Sequence, residues 1–590
     1  MNYRAPVTEI AFIAKTFGLG ALVADGLAPD IADGIADAVL EEAGKFATDK
    51  IAPLNQVGDQ FGAIFDQGHV TTAPGWKEAY SEWVAGGWNG LTAPIEHGGQ
   101  GLPHLLHHAC SEMWTSASMA FMLGPLLTTG AVDALSAHGS EALKSIYLNK
   151  LVSGEWTGTM NLTEPHAGSD VGALRTRAER GPDGSYKITG QKIYITYGEH
   201  DLTPNIIHLV LARLPDAPSG TRGISLFLVP KYLVNSDGSL GERNDLRCAG
   251  LEKKLGIHAS PTCTMVYGDH GGATGYLIGE ENRGLNCMFT MMNSARLSVG
   301  VQGVAVAERA YQLALNYAKE RKQGRSITAK SDVMVPIIEH PDVRRMLMLM
   351  RSKTDAARAI CFMTAAAFDR SHRETNPAKC KAAEERAALL TPIAKAWATD
   401  IGIEVASLGI QIHGGMGFIE DSGAAQHLRD ARIASIYEGT NGIQAIDLVT
   451  RKLPLSNGET VAALLAEMSA TLDGLKVTNH TGFGSSAERL SVALGSLKGA
   501  TQWIITTLKQ NPEEALASAT VYQTLFGTTL GGLALVRSAL ADSAGPENER
   551  RIATARFFAE QVATDAAALA QTITQGALAL SASQAVLLAS

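Results

Sequence analysis

The sequence predicts an α+β protein in which helical and strand-rich regions are segregated along the chain. Three observations carry this. Apolar residues recur at helical spacing through the first 158 or so residues and again from Gly284 to about Lys452. Between them, from about Trp156 to Leu277, lie short runs rich in Ile, Val, Thr and Tyr, punctuated by Gly, Pro and Asp. No G-x-G-x-x-G follows a strand and opens a helix, which argues against βαβ units and a Rossmann nucleotide site.

The elements follow in order. Ile31 to Ile51 and Ala120 to Leu151 carry the helical repeat, and PIEHGGQGLP (Pro94 to Pro103) interrupts them as a loop. Tyr186–Tyr197, Ile206–Leu214, Gly223–Val229 and Thr262–Tyr267 read as strands, with Pro182-Asp183-Gly184 as a turn. Arg296–Arg321, Thr354–Phe368 and Ala383–Leu408 read as long helices. After Pro454 a further, mostly helical segment of roughly 135 residues follows. We place boundaries at 1–158, 159–280, 281–452 and 453–590, since 590 residues exceed one core.

Composition excludes several classes. With 45% hydrophobic and 18% charged residues the chain is globular, not disordered. Its net charge of −9 and lack of a basic run disfavour nucleic-acid binding. The six cysteines form no CxxC or Cys/His cluster, so no metal site and no disulfide framework is expected. Met1 to Leu22 lacks a signal-peptide pattern, and no stretch of about 18 purely apolar residues occurs. A cytoplasmic protein without a membrane span is the expectation.

Five motifs then stand in register across about 300 residues: MNLTEPHAGSD (Met160–Asp170), GQKIYIT (Gly190–Thr196), KLGIHASPT (Lys254–Thr262), QIHGGMG (Gln411–Gly417) and YEGTNGIQ (Tyr437–Gln444). Together they resemble the acyl-CoA dehydrogenase family over about residues 30 to 452. The resemblance implies an N-terminal helical domain, a central β-barrel-like domain, and a C-terminal four-helix domain, with FAD between them. The chain also carries a helical extension. Its YRAP start, its MNSARLSVGVQGVA stretch and its length resemble the bacterial 3-methylmercaptopropionyl-CoA dehydrogenase branch most.

The resemblance also implies roles. Glu438 corresponds to the base that removes the α-proton of an acyl-CoA thioester, an acid too weak for water to deprotonate. Isolated glutamates are more often helix caps, but the alternative family position for a base is Ala295 here, flanked by Asn293 and Ser294. Met160, Leu162, Thr163, Ser169, Tyr194, Thr196 and Tyr437 would contact the flavin ring. Arg321, Gln411, Gly414, Gly415, Thr440 and Asn441 would contact the diphosphate and adenosine, with Gln411 and the glycines from a neighbouring subunit. Ser169, Asn293, Arg296 and Gly439 would meet substrate. Alone, each Ser or Thr is an ordinary turn residue, Gly-Gly a turn, and Arg321 a solvated charge; Arg296 is equally an interdomain salt bridge. Tyr194 stands where the family has Trp, and Gly324 where an aromatic residue is common.

In such long members the extension covers a face used for dimer–dimer contact, so a homodimer is expected, with electron-transfer flavoprotein as acceptor. Substrate alternatives are 3-methylmercaptopropionyl-CoA and long-chain fatty acyl-CoA; an acyl-CoA oxidase is a second enzymatic reading. A flavin-bearing DNA-protection protein needs a basic extension, whereas eight Lys/Arg against eleven Asp/Glu give −3 there. Ala566–Ser590 carries no charge and is read as a helix docked on the domain.

Overall fold

The computed structural model describes residues 3–325, 333–478, 480–542 and 544–589. The N-terminal helices include α1 (Val7–Ala14), α2 (Ile35–Phe46), α3 (His104–Ala117) and α4 (Met119–His138). Ser118 starts α4 by accepting from the Phe121 amide at 3.4 Å. The helix expected to run unbroken to Leu151 ends at His138. Gly139 is extended, and Ser140 caps a new helical segment that runs to Ser153. Trp83, Trp88 and Trp114 form the aromatic centre of this region, with Trp83 and Trp114 packed edge to face at 4.7 Å.

The central region is a sheet of eight strands: β1 (Thr157–Asn161), β2 (Arg177–Arg180), β3 (Tyr186–Thr196), β4 (Ile206–Arg213), β5 (Ile224–Pro230), β6 (Leu246–Leu251), β7 (Thr262–Tyr267) and β8 (Ala273–Ile278). Its order is β6-β7-β3-β8-β5-β4-β1, and β2 pairs with both β3 and β4. Through β2 the path β3-β8-β5-β4 returns on itself, so the sheet closes into a small barrel. Sequence patterning found β3, β4, β5 and β7; β1, β2, β6 and β8 are short and lack a strong alternation.

Three long helices follow: α5 (Gly284–Glu320), α6 (Pro341–Arg373) and α7 (Pro377–His413). Short helices α8 (Ala424–Ala431) and α9 (Asn441–Asp447) close the bundle. Helices α5 and α7 run parallel and nearly touch, because a Cβ on Gly303 would stand 2.3 Å from the Ala398 carbonyl oxygen. Arg358 of α6 is fully buried, donating to Glu112 of α3 at 2.8 Å, Glu308 of α5 at 2.8 Å and Asp355 at 2.5 Å. This hub ties the first helical region to the second.

The extension comprises α10 (Glu459–Val477), α11 (Ser486–Gln510), α12 (Ala519–Ala541), α13 (Pro546–Gln561), α14 (Ala566–Gln575) and α15 (Ala577–Leu588). It lies on α6 and α7: Gly527 sits against Trp397, and Gln523 donates to the Pro392 carbonyl at 2.7 Å inside α7. Arg551 of α13 pairs with Glu9 at 2.7 Å, which locks α1 beneath it. Helix α14 buries Ala566 and Ile573. Helix α15 leaves Leu580, Val586 and Leu588 exposed, so docking of the tail is partial. Among the described residues, Val7–Ala24, Met119–His138 and Ala519–Ala541 are long and apolar enough to cross a membrane by length and composition. Uninterrupted apolar runs had given no such segment. Helices α4 and α12 are largely buried within the protein.

Candidate active site

The turn joining α8 to α9 carries the predicted base. Tyr437 donates its hydroxyl to Gln302 of α5. Glu438 and Gly439 then adopt left-handed backbone, at φ 55° and 84°. For Glu438 this costs about 1–2 kcal/mol, a strain the surroundings must hold in place. Thr440 caps α9, its hydroxyl accepting from the Ile443 amide at 3.2 Å. Lys395 of α7 fixes the turn from behind: its buried ammonium donates to the Gly439 carbonyl at 2.8 Å and to Asn441 Oδ1 at 2.9 Å. Asn441 in turn donates to the Ala396 carbonyl at 3.1 Å and to Asp400 at 2.8 Å.

Burial raises the Glu438 carboxyl, while Arg296 and Lys395 hold the rise in check. Burial lowers Lys395 to about 8, opposed by the charges of Glu438 and Asp400. Arg296 is also lowered by burial, opposed by Asp447 and Glu438, and its Nε has no hydrogen-bond partner. A Cβ on Gly439 would lie 4.0 Å from the Arg296 guanidinium. The structure thus gathers Tyr437, Glu438, Gly439, Thr440, Asn441 and Arg296 around one turn. The close α5–α7 approach brings Lys395 to it.

Two cavities adjoin α5 on this side and share Ser294. The larger, about 840 Å³, has a mixed wall that includes Asn293, Arg296, Lys452, His372, His108 and Asp133. The smaller, about 20 Å³, is mostly apolar and lies between α4 and α5, with Met122, Leu126 and Met291 on its walls. Gly130 keeps it open to Met291, whose Cγ would meet a Cβ there at 2.7 Å. A roomy cavity with charged residues on its wall, next to a narrow one, fits a ligand with a long polar handle and a short tip.

The barrel supplies a second group. Met160 on β1 is buried in the same apolar cluster as Ala295 of α5, and Leu162 packs against that cluster. The Leu162 carbonyl accepts from Lys192 at 2.9 Å and that of Thr163 from the Ile193 amide at 2.9 Å. Lys192 is paired with Glu164 at 2.8 Å, and Glu164 also accepts from the Thr176 hydroxyl at 2.6 Å, so two of the motifs are welded together. A register shift in β3 against β7 puts Tyr194 at φ 62° with 60% of its surface exposed. Thr196 accepts through its carbonyl from Thr159 at 2.7 Å. The side-chain hydroxyls of Thr163, Ser169 and Thr196 have no hydrogen-bond partner among the described residues. A flat exposed ring beside free donors fits the rim of a flavin. Ser169 is exposed on the loop beyond β1.

A third group lies elsewhere. Arg321 follows the last residue of α5, and Gln411, Gly414 and Gly415 lie at the end of α7, where Tyr317 stacks on His413 at 4.4 Å. All four are exposed, and a Cβ on either glycine would meet nothing within 4 Å. Arg321 is twenty-five residues beyond Arg296 on α5, about 37 Å at 1.5 Å per residue. One chain therefore does not bring this group to the Glu438 turn. Sequence reasoning missed Lys395, Gln302, Glu164 and Lys192. A lone lysine in the apolar run PIAKAWA was the one available signal for Lys395.

Family models match the whole arrangement in order: acyl-CoA dehydrogenase N-terminal domain over 36–155, middle domain over 159–270, C-terminal domain over 282–453, and acetyl-CoA dehydrogenase C-terminal like over 464–584. The chain is 47% identical over 576 residues to the 3-methylmercaptopropionyl-CoA dehydrogenase of Ruegeria pomeroyi, covering 96% of this chain and 97% of that protein. Caenorhabditis elegans ACDH-11, solved in complex with C11-CoA, superposes with a TM-score of 0.78 at 19% identity, covering 96% of this chain and 92% of that one. An acyl-CoA dehydrogenase from Bacillus anthracis complexed with FAD gives 0.74 at 22% identity, over 92% and 89% of the chains.

Proposed function

Since the chain belongs to the acyl-CoA dehydrogenase family, we propose that this FAD-dependent acyl-CoA dehydrogenase acts on 3-methylmercaptopropionyl-CoA, with Glu438 as its base. The observation that carries the proposal is the Glu438 turn: a strained, half-buried carboxylate, raised by burial and opposed by Arg296 and Lys395, with Arg296 also on the wall of the larger cavity. A thioester acidifies its α-C–H, and a carboxylate with a raised pKa is a better proton acceptor near neutral pH. The two cations oppose the rise that burial imposes on that carboxylate. The tip of the acyl group enters the narrow chamber and the rest of the substrate occupies the larger cavity, where Asn293, Arg296 and Lys452 meet amides and phosphates.

FAD, when bound, accepts the β-hydrogen as hydride, and loss of the α-proton to Glu438 leaves a trans C=C bond conjugated to the thioester. Thr163, Ser169 and Thr196 would donate to the flavin ring, with Tyr194 beside it. Arg321, Gln411, Gly414 and Gly415 would hold the diphosphate of a partner copy's FAD, since their own base turn is about 37 Å away along α5. This reading requires a homodimer. Electron-transferring flavoprotein is the acceptor we propose.

Anaerobic flavin reduction with a panel of acyl-CoA thioesters is the test. 3-Methylmercaptopropionyl-CoA is expected to bleach the flavin fastest. Bleaching by chains of ten or more carbons alone defeats the substrate assignment, and peroxide release in air matching turnover marks an oxidase instead.

A further inference from the structure

The small chamber between α4 and α5 is not wholly apolar. Trp83, His107 and Ser111 also line it. Trp83 is 1% exposed, and its indole N–H has no acceptor. His107 leaves Nδ1 without a partner, and burial and the neighbouring His104 lower the imidazole to about 4, so it is neutral at neutral pH. Ser111, one turn beyond His107 on α3, is 6% exposed and its hydroxyl has no partner among the described residues. An indole N–H is a donor only, and a neutral imidazole and a hydroxyl each carry one more. Trp83 Nε1 and His107 Nδ1 are buried without partners, and two such groups at one small space are costly unless something in that space bonds to them.

The Trp83 wall does not move easily. Trp83 is held edge to face by Trp114 at 4.7 Å and tilted against Phe46 at 6.1 Å. The chamber's volume of about 20 Å³ admits only one or two water-sized groups, since one water needs about 10–15 Å³. As it stands, the chamber takes only the tip of an acyl group.

We propose that Trp83, His107 and Ser111 form a heteroatom subsite that selects short acyl groups ending in an electron-rich sulfur or oxygen over all-carbon chains of equal length. This rests on the acyl-CoA dehydrogenase reading above and adds the residues that discriminate the acyl tip. The methionines of the walls, Met122 and Met291, suit a polarizable thioether equally.

The test compares 3-methylmercaptopropionyl-CoA with pentanoyl-CoA, which has CH₂ in place of sulfur. The readout is the ratio of kcat/KM in anaerobic flavin reduction by the flavin-loaded enzyme. Wild type should favour the thioether by about two- to tenfold, the range of one or two weak hydrogen bonds. Ser111→Ala, Trp83→Phe and His107→Leu should each move the ratio towards one. Ser111→Ala removes a single oxygen and guards against misfolding of the other two, with bound flavin and circular dichroism as folding checks. A ratio of one in wild type, or a ratio unmoved by all three variants, overturns the subsite while leaving the dehydrogenase reading intact. Absence of bleaching by any acyl-CoA overturns that reading itself.

Discussion

Replacing Lys395 with Met tests whether the base turn is held and tuned from α7. The ammonium donates to the Gly439 carbonyl at 2.8 Å and to Asn441 at 2.9 Å, and Met fills the space without a donor. Asn441 retains the Thr399 hydroxyl, whereas no other bond to the Gly439 carbonyl is found among the described residues. A hydrogen bond from a charged group contributes about 1.5–3 kcal/mol, so kcat/KM should fall by about 10- to 150-fold. The fold itself should not suffer in proportion, because burial already disfavours the charged lysine. The pH profile separates tuning from mere support. Glu438 acts as a base only when ionised, so activity falls as pH drops through its pKa. Lys395 is one of two cations holding that pKa down. Without it the acid limb must move to higher pH. Wild type should also lose activity above pH of about 8, where Lys395 gives up its proton, and Lys395→Arg should abolish that alkaline limb. Stopped-flow bleaching across pH 6 to 9, roughly one to two units either side of the lysine's value, reads both limbs. An acid limb that stays put, with rates within about twofold of wild type, refutes the argument.

Other perturbations have equally definite outcomes. Glu438→Gln should keep yellow FAD and lose substrate-driven bleaching by at least about 10²–10⁴-fold; bleaching at the wild-type rate removes Glu438 from the reaction. Arg358→Met leaves Glu112 and Glu308 buried without their cation, and urea unfolding should show a loss of about 3–5 kcal/mol. A loss below about 1 kcal/mol contradicts the hub. Gly414→Val places a side chain at φ 62° in open space, so helical content should persist while bound flavin is lost. Full flavin retention detaches this turn from the diphosphate.

Much of the architecture was readable from residue pattern. The long helices α5, α6 and α7 bury broad apolar faces, and β3, β4, β5 and β7 are rich in β-branched residues, so local signal and packing agree. Strand β2 escaped because it is short and mostly charged (RAER), and β6 because LRCAGL lacks β-branched and aromatic residues. They are strands because neighbours supply hydrogen bonds, which no local pattern encodes. The break at Gly139 was hidden because the flanking segments both carry helical periodicity.

At the site, Glu438, Arg296 and Asn441 were named one by one from resemblance, but Asn441 was read as a diphosphate contact, whereas its side chain is bonded to Lys395, Ala396 and Asp400. Lys395 was not, since its role depends on how closely α5 and α7 approach through Gly303. Trp83, His107 and Ser111 look like ordinary helix residues until the space between α4 and α5 is seen. The division of labour along α5 was also invisible, since linear order says nothing of which end meets which cavity.

That helix behaves as a calibrated spacer. Arg296 lines the larger cavity at one end while Arg321 is presented at the other, and the stretch 297–307 beyond Arg296 is small or aliphatic apart from Gln302. Each residue turns an α-helix by about 100°. Inserting or deleting a single residue midway would swing one arginine away from its task while leaving composition, hydrophobicity and helix propensity almost untouched. Its length is thus constrained by phase as well as by the contacts that Gln302, Gly303 and Glu308 make along it.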